Sequence, residues 1–285
     1  MKTIRLLYPD YVSGGLDTYY FGAQLLTQIV PANPSQPLIT VDVRPPDGLE
    51  KPVKNGISGL EDVLWGIQDA QAKIAAAFPD RIITLGGNCL VSLAPFDYLH
   101  GLYPNVGIVW IDAHPDVSTP ENGYPNAHAM VLGSLLGGGA EALRQSMTQP
   151  FFAASDILYI GLQGLHSYQQ DFLQQMGVAY KVQTEHFVQA EEIRAFTARF
   201  DHLLVHFDID VLDETLFHST YFANKDLVGD GAGGGKMTME ALQKVLHCVC
   251  DENDVVGLTI AEYLPFDEHS LHKVLSGLHL FTDMS

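Results

Sequence analysis

The fold of this chain can be worked out from the run Ile108-Val109-Trp110-Ile111-Asp112-Ala113-His114-Pro115-Asp116. Its first four residues are apolar and predict a buried strand, which ends in three side chains that commonly bind metals. In extended backbone, residues two positions apart point to the same side. We therefore expect Asp112, His114 and Asp116 to project together from a strand end, and we expect the chemistry of the protein there.

Short β-type runs alternate with longer helix-type stretches along the whole sequence. The predicted strands are Thr3–Tyr8, Leu38–Val43, Arg81–Leu85, Val106–Ile111, Ile157–Ile160, Leu203–Phe207 and Val255–Ala261. The predicted helices are Asp17–Ile29, Leu60–Ala77 with Ser58 as its candidate cap, Ala129–Leu136, Tyr168–Met176, Ala190–Phe200, Met239–Cys250 and Glu268–Phe281. This alternation is typical of βαβ units, which form a mostly parallel sheet with helices on both faces. Ligands bind such sheets at the carboxyl ends of the strands.

Length and composition fit one enzyme-sized domain over residues 1–285. Hydrophobic residues make up 47% of the chain, enough to bury a large core. The formal charge is -19, from 34 acidic and 15 basic residues. This balance argues against nucleic acid or an anionic membrane as a partner, and it suits metal ions or cationic small molecules. For the exposed carboxylates, the alternative is that they keep the protein in solution.

The cysteines and the amino terminus predict a cytoplasmic protein. Cys89, Cys248 and Cys250 cannot form an even disulfide framework. The segment Met1–Pro9 has too few apolar residues for a signal peptide. No apolar run approaches the roughly 20 residues that cross a bilayer.

A second acidic cluster, Asp208-Ile209-Asp210, closes the apolar run Leu203–Phe207 and is followed by Asp213. One such cluster alone is best interpreted as a polar turn. Two clusters at the ends of buried strands in one sheet are different, because several buried acids without a cation would repel one another. Mixed carboxylate and imidazole ligands suit Mn²⁺, Fe²⁺ or Zn²⁺ better than Ca²⁺. The two clusters together therefore predict a dinuclear metal site.

The segment Phe217–Gly235 is the one irregular stretch, because its glycine-rich end cannot form regular structure. It follows a strand end, so a flexible rim or lid over the site is one interpretation. Phosphate binding is disfavoured, since no Lys-Ser or Lys-Thr pair follows the glycines.

Three elements together resemble the ureohydrolase family, the group of arginases and agmatinases. Asp112-Ala113-His114-Pro115-Asp116 matches that family's Asp-Ala-His-x-Asp element, and it is the most specific of the three. Asp208-Ile209-Asp210-Val211-Leu212-Asp213 matches Asp-x-Asp-x-x-Asp, and Gly86-Gly87-Asn88-Cys89 is similar to Gly-Gly-Asp-His. Their order and spacing agree with the family from about residue 80 to residue 262.

The resemblance implies a three-layer α/β/α fold and two divalent metal ions, with manganese expected first and zinc or iron as alternatives. It implies hydrolysis of a small guanidino compound to urea and an amine by a hydroxide held between the metals. By position, Asp112 and Asp208 would bridge the two ions, and His114 and Asp210 would bind one of them. Asp116 would bind the other, and position 89 would complete its ligands.

Two further residues match catalytic positions of the family and join Asp116 as catalytic candidates. His128 lies in a segment similar to the one that carries a proton-shuttling histidine, a role that suits the pKa of imidazole. Its alternative is a surface histidine at a helix start. Glu262, after Gly257–Ala261, matches the glutamate that pairs with the guanidinium, whose forked donors fit a carboxylate. Its alternative is an acid that faces solvent.

The chain departs from the family at the first element. Cys89 replaces a histidine ligand, and Asn88 replaces the aspartate that supports it. A thiolate ligand would favour Zn²⁺ or Fe²⁺ relative to Mn²⁺. The alternative is that Cys89 points away as a small buried hydrophobic residue.

It also departs where arginases bind the amino-acid head group. The loop Gln163–Gln169 after Leu162 contains no carboxylate that could pair with an α-ammonium group, and Ser118 and Tyr124-Pro125 also differ. We therefore do not expect free arginine as substrate in the usual pose. An arginine derivative or an agmatine-like compound fits better.

Other function classes stay open at this point. A non-catalytic protein with the same fold and a degenerate site is one alternative, and a metal-dependent deacylase on this fold is another. An aspartyl phosphohydrolase is disfavoured, because its motif normally follows the first strand of the domain. The resemblance also implies a homo-oligomer, either a trimer or a hexamer.

Overall fold

The computed structural model describes residues 1–183, 187–227, 229 and 231–278. Within them a seven-stranded sheet has the order β2-β1-β5-β9-β8-β6-β7, and every neighbouring pair in it is parallel. Its strands are β1 (Thr3–Tyr8), β2 (Leu38–Thr40), β5 (Arg81–Gly86), β6 (Val106–Ile111), β7 (Ile157–Ile160), β8 (His202–Asp208) and β9 (Val255–Ala261). A separate antiparallel hairpin pairs β3 (Val53–Lys54) with β4 (Ile57–Ser58).

Helices cover both faces of the sheet and complete a three-layer α/β/α fold, as predicted. They are α1 (Asp17–Ile29), α2 (Leu60–Ala77), α3 (Leu93–Leu102), α4 (Val131–Leu135), α5 (Glu141–Ser146), α6 (Ser167–Met176), α7 (Ala190–Thr197), α8 (Met239–Leu246) and α9 (Phe266–Ser276). None of the helices in the described ranges is both long and apolar enough to cross a membrane.

Strand β6 shows how the core is divided. All six of its residues are buried, which explains why its sequence is apolar without alternation. Ile108 and Trp110 pack in the apolar cluster on one face, and Val109 and Ile111 pack in the cluster on the other face. The strand is therefore held between two helical layers, and its carboxyl end is fixed in position.

The sequence predicted several boundaries correctly, and the structure corrects others. β1, β6, β7, β9, α1 and α2 have the predicted bounds. The second strand ends at Thr40 rather than Val43, and the helix expected from Ala190 ends at Thr197 rather than Phe200. Ser58 belongs to β4 and does not cap α2, which follows Gly59 in a left-handed conformation. Helices α3 and α5 and the hairpin were not predicted.

Two predicted helices are subdivided, and one is displaced. The expected helix Ala129–Leu136 is a 3-10 turn over Ala127–Met130 followed by α4. The expected helix Met239–Cys250 is α-helical only to Leu246 and continues as a π-helical turn over His247–Asp251. The last helix spans Phe266–Ser276 instead of beginning at Glu268, and Phe281, its predicted end, lies outside the described residues.

The strand order brings together the strand ends that carry the candidate metal ligands and catalytic residues. β5, β9, β8 and β6 are consecutive neighbours in the sheet. Cys89 follows β5, Glu262 follows β9, Asp208 ends β8 and Asp112 follows β6. Because all four strands are parallel, these side chains meet at one edge of the sheet.

Candidate functional site

Asp112 lies at the base of the site and is completely buried. Its Oδ1 accepts a hydrogen bond from the His114 backbone N–H (2.6 Å), and its Oδ2 accepts one from the Trp110 indole Nε1–H (2.9 Å). Burial, and then repulsion from Asp210, raise the pKa of Asp112 to about 7. The site therefore contains a carboxylate that two hydrogen bonds hold in place and whose negative charge is poorly compensated.

His114 and Asp210 form a pair beside Asp112. The His114 Nδ1 lies 3.0 Å from Asp210 Oδ2 and 3.6 Å from Asp112 Oδ1. The other ring nitrogen, Nε2, donates to the carbonyl of Gly233 (3.1 Å), so Nδ1 is the nitrogen that faces the acids. Burial opposes protonation of this ring, yet Asp210 raises the pKa of His114 well above its usual value. Burial likewise opposes ionisation of Asp210, but His114 lowers the pKa of Asp210.

Cys89 points into the site and is not a hydrophobic residue turned away from it. Its Sγ–H donates to Asp208 Oδ2 (2.7 Å) and lies 3.5 Å from Glu262 Oε1. Burial, followed by the charge of Asp116, raises the pKa of the Cys89 thiol well above its usual value. The sulfur of Cys89 is therefore a protonated thiol, and it donates a hydrogen bond into the acidic cluster.

The turn that carries Cys89 is fixed by Asn88. The Asn88 Oδ1 accepts from Ser13 Oγ (2.8 Å) and from the Leu90 backbone N–H (3.1 Å), and its Nδ2 donates to the Asp10 carbonyl (3.0 Å). A Cβ at Gly87 would lie 1.8 Å from that same carbonyl, so the close approach requires glycine there.

Asp208 ends β8 and holds the start of the following turn. Its Oδ1 accepts from the Asp210 backbone N–H (2.7 Å), which aims both carboxylates into the site. Burial, and then the charge of Asp210, raise the pKa of Asp208 well above its usual value. Asp213 behaves differently, because its Oδ1 accepts from the backbone and hydroxyl of Thr215 (2.9 and 2.6 Å) and closes a surface turn.

Asp116 and Glu262 both adopt left-handed backbone conformations, with φ of 51° and 62°. Such conformations cost about 1–3 kcal/mol each in residues other than glycine and are concentrated at functional sites. Backbone hydrogen bonds hold them, from Gly133 N–H to the Asp116 carbonyl (2.9 Å) and from Glu262 N–H to the Gly87 carbonyl (3.0 Å). Asp116 Oδ2 is buried and has no hydrogen-bond partner among the described residues.

The two predicted catalytic residues His128 and Glu262 are in direct contact. His128 donates from Nδ1 to Glu262 Oε1 (2.8 Å), and its Nε2 lies 3.1 Å from the hydroxyl of Tyr124. The other carboxylate oxygen, Oε2, accepts from the hydroxyl of Tyr19 (3.1 Å). Sequence reasoning missed Tyr19, because residues 1–79 carry no motif that points to it.

His206 was also missed, although it lies on β8 two residues before Asp208. Two residues along a strand share a face, so this spacing could have indicated it. The ring stacks on Trp110 with centroids 3.7 Å apart, and its Nδ1 lies 2.8 Å from Ser92 Oγ. Burial lowers the pKa of His206 to about 3, so the ring is neutral.

The side chains fit divalent metal ions. Potential ligand atoms lie within 4.8 Å of one another in four groups: Cys89, Asp112, Asp116 and His206; Asp112, His114 and Asp210; Cys89, His128 and Glu262; and Asp208, Asp210 and Glu262. Every residue predicted from the sequence as a ligand belongs to at least one group. The unpartnered Asp116 Oδ2 and the raised pKa values of three aspartates indicate missing positive charge. Nitrogen and sulfur ligands among the carboxylates favour a transition metal over Ca²⁺.

A cavity of about 440 Å³ opens above these residues. Its floor includes Asp116, Asp208, Asp210 and Glu262. Cys89, His114 and His128 also line it, together with uncharged side chains that include Tyr19, Ser118, Tyr124, Asn126, Gln169, Tyr221 and Phe222. Gly229 and Ala232 also line it, so the glycine-rich segment does form part of the rim. No lysine or arginine lines it among the described residues, which suits a small cationic ligand.

Comparison with protein-family models matches residues 50–284 to the arginase family. An arginase from Entamoeba histolytica is 31% identical over 147 residues, which cover 46% of this chain and 47% of that protein. The chain spans about half the length of the first curated relatives that it matches.

Solved structures show the same fold at lower identity. The crystal structure of Entamoeba histolytica arginase in complex with L-ornithine has a TM-score of 0.75 and 20% identity, covering 92% of this chain and 91% of that one. Formimidoylglutamase from Bacillus subtilis has a TM-score of 0.64 and 14% identity, covering 93% and 79%. The family model extends over most of the chain and includes every metal-binding candidate, and the chain therefore belongs to the arginase family.

Proposed function

We propose that the protein is a metal-dependent amidinohydrolase that cleaves a small guanidino compound to urea and an amine. The observation that carries this proposal is the convergence of four adjacent strand ends. They bring five buried acids together, and four of these acids line one cavity that no described lysine or arginine lines. Such a site suits both divalent metals and a guanidinium, which is planar, cationic and rich in donors.

Six residues would hold two divalent ions under this proposal. His114 and Asp210 would bind one ion, Cys89 and Asp116 would bind the other, and Asp112 and Asp208 would contribute to holding both. When bound, the two ions supply a nucleophile from water near neutral pH and a Lewis acid beside the substrate. We propose manganese, zinc or iron, and the thiol at position 89 shifts the preference toward zinc or iron.

Glu262 orients the substrate, and His128 donates a proton to the leaving amine. The Glu262 carboxylate accepts two parallel hydrogen bonds from the guanidinium, and Tyr19 holds it in place through Oε2. Hydrolysis adds water to the guanidinium carbon and breaks its bond to the substituted nitrogen, which leaves as an amine and needs a proton. His128 Nδ1, which faces Glu262 and the cavity, donates that proton.

The uncharged side chains of the cavity wall limit the rest of the substrate. Ser118, Asn126 and Gln169 offer hydroxyl and amide groups and no carboxylate. We therefore propose a substrate whose far end is polar and uncharged, such as an arginine derivative with a modified head group. A cytoplasmic location and a trimeric or hexameric assembly stay predictions.

A substrate panel tests the function. Metal-loaded protein is incubated with arginine, its derivatives, agmatine and acylated amines, and the products are identified by mass spectrometry. We expect urea and the matching amine in equal amounts from at least one guanidino compound. Release of a carboxylic acid from an acylated amine alone would identify a deacylase, and the absence of any cleavage would indicate a non-catalytic protein.

Replacing Cys89 by histidine tests the metal preference. Removing the soft ligand is expected to raise manganese content relative to zinc by roughly tenfold. The measurement is elemental analysis of protein purified from medium with equal manganese, iron and zinc. Cys250→Ser is the matched control, since that cysteine lies in the π-helical turn far from this cluster along the chain. Unchanged metal ratios in Cys89→His would place the thiol outside the ligand set.

A further inference from the structure

His206 is buried beside the acidic cluster and stacks on Trp110. The side chain has no exposed surface, and its ring lies nearly parallel to that of Trp110, at 11°. The neighbouring strands pair these two residues directly, Trp110 on β6 with His206 on β8. Asp112 follows Trp110 by two positions, just after β6, and Asp208 follows His206 by two positions at the end of β8. Residues two positions apart along a strand face the same side of a sheet.

One nitrogen of this ring lacks a partner. Nδ1 lies 2.8 Å from Ser92 Oγ, whereas the buried Nε2 has no hydrogen-bond partner among the described residues. Its nearest acid is Asp112, whose Oδ2 lies 3.8 Å away, beyond hydrogen-bond distance. The Ser92 hydroxyl can accept a proton from Nδ1, and in that tautomer Nε2 carries a lone pair that is free to bind a metal.

The same group of potential ligands contains a second buried atom without a partner in the part of the chain that the structure describes. Asp116 Oδ2 is also buried without a hydrogen bond. Ligand atoms of Cys89, Asp112, Asp116 and His206 all lie within 4.8 Å of one another. One thiol, one imidazole and two carboxylates are all ligand types that bind zinc and iron.

We propose that His206 binds, through Nε2, the same metal ion as Cys89, Asp112 and Asp116. This inference rests on the proposed function for the presence of two metals, and it adds an imidazole to the six ligands named there. Under this proposal Ser92 accepts the hydrogen bond from Nδ1, the arrangement that a metal-binding histidine usually has at its far nitrogen.

The ligand atoms of this group lie within 4.8 Å of one another, which is close enough for the side chains to close around one ion. The alternative is that His206 only packs against Trp110 and takes no part in binding.

Cobalt loading of the full-length protein distinguishes these alternatives without an activity assay. Paramagnetic proton NMR of the Co²⁺ protein reports each bound imidazole as a shifted ring N–H signal. We expect such signals from His114 and His206, and we expect His206→Gln to lose one and to bind the second cobalt equivalent at least tenfold more weakly. His114→Gln should lose the other signal. His202→Gln is the matched control on the same strand, because that ring binds Asp254 at the surface.

The outcomes separate the two proposals. A wild-type protein that binds no transition metal overturns the proposed function along with this inference. A protein that binds two cobalt ions, but whose shifted signals all persist in His206→Gln, overturns only the role of His206. If His206→Gln does not fold, Ser92→Ala decides, because removing the partner of Nδ1 should move one shifted signal and leave the others. No movement of any shifted signal would overturn the inference.

Discussion

Asp116→Asn is expected to lower kcat/KM by roughly 10³-fold or more and, at the same time, to stabilise the metal-free protein at neutral pH. Under the proposed function the activity falls because the substitution removes a charged metal ligand, a larger change than loss of a supporting group, which typically costs 10–100-fold. Stability rises because burial, and then Asp112 and Glu262, raise the pKa of Asp116 well above its usual value. An amide of the same shape cannot ionise and so avoids that repulsion.

The pH dependence of the metal-free wild type follows from the same groups. Asp112, Asp116 and Asp208 all have raised pKa values in the folded state, that of Asp112 reaching about 7. The folded protein therefore binds more protons than the unfolded chain, and its stability falls as pH rises from about 4 toward 7. Thermal unfolding across that range should show this fall, and added metal should remove most of it.

Asp213→Asn is the matched control for Asp116→Asn. Asp213 belongs to the same sequence motif as Asp208 and Asp210, but it closes a surface turn at Thr215. Its substitution should leave metal content and kcat/KM unchanged. If Asp116→Asn kept full activity and both metals, the ligand assignment of Asp116 would be wrong.

Glu262→Gln is expected to lower kcat/KM by about 10²-fold or more while metal content stays at two ions per chain. Glutamine keeps the shape of the side chain but loses the charge-assisted hydrogen bonds to a guanidinium, which contribute about 1.5–3 kcal/mol. The protein shows the expected geometry elsewhere, since Arg194 donates to Glu252 through two hydrogen bonds of 2.8 and 2.9 Å. Steady-state kinetics with the best substrate of the panel, together with elemental analysis, provide the measurement.

Glu252→Gln is the control for Glu262→Gln, because Glu252 makes its guanidinium contact at the surface. Its kinetics should match the wild type. Loss of a metal ion from Glu262→Gln would reassign Glu262 as a ligand, a role that its place among Asp208 and Asp210 also allows. Unchanged kinetics in Glu262→Gln would show that Glu262 does not bind the substrate.

The sequence was informative where burial determines the residue types. β6 and β9 were predicted with correct bounds, because strands covered on both faces are apolar runs that end at polar residues. Helix α3 was missed because Pro95 stands in its first turn and most of its residues are buried, so no amphipathic period is visible. The ends of these strands thus followed from the sequence pattern, and the helix packed beside them did not.

The contacts inside the site depend on three-dimensional geometry that no sequence pattern indicates. His206 stood within an apolar run and was treated as part of it, although its ring reaches the cluster. The contact between His128 and Glu262 depends on the left-handed backbone at Glu262, which is unusual for glutamate. Tyr19 reaches Glu262 from α1, more than two hundred positions away in sequence. Each of these residues is placed by tertiary packing alone.

The most direct test of a metal-dependent amidinohydrolase is a titration of metal-free protein with Mn²⁺ or Zn²⁺ while urea release from the best guanidino substrate is followed. The account predicts no urea without metal and a rate that rises to a plateau at two equivalents per chain. A protein that releases no urea at any loading, or that reaches its full rate without bound metal, would contradict it.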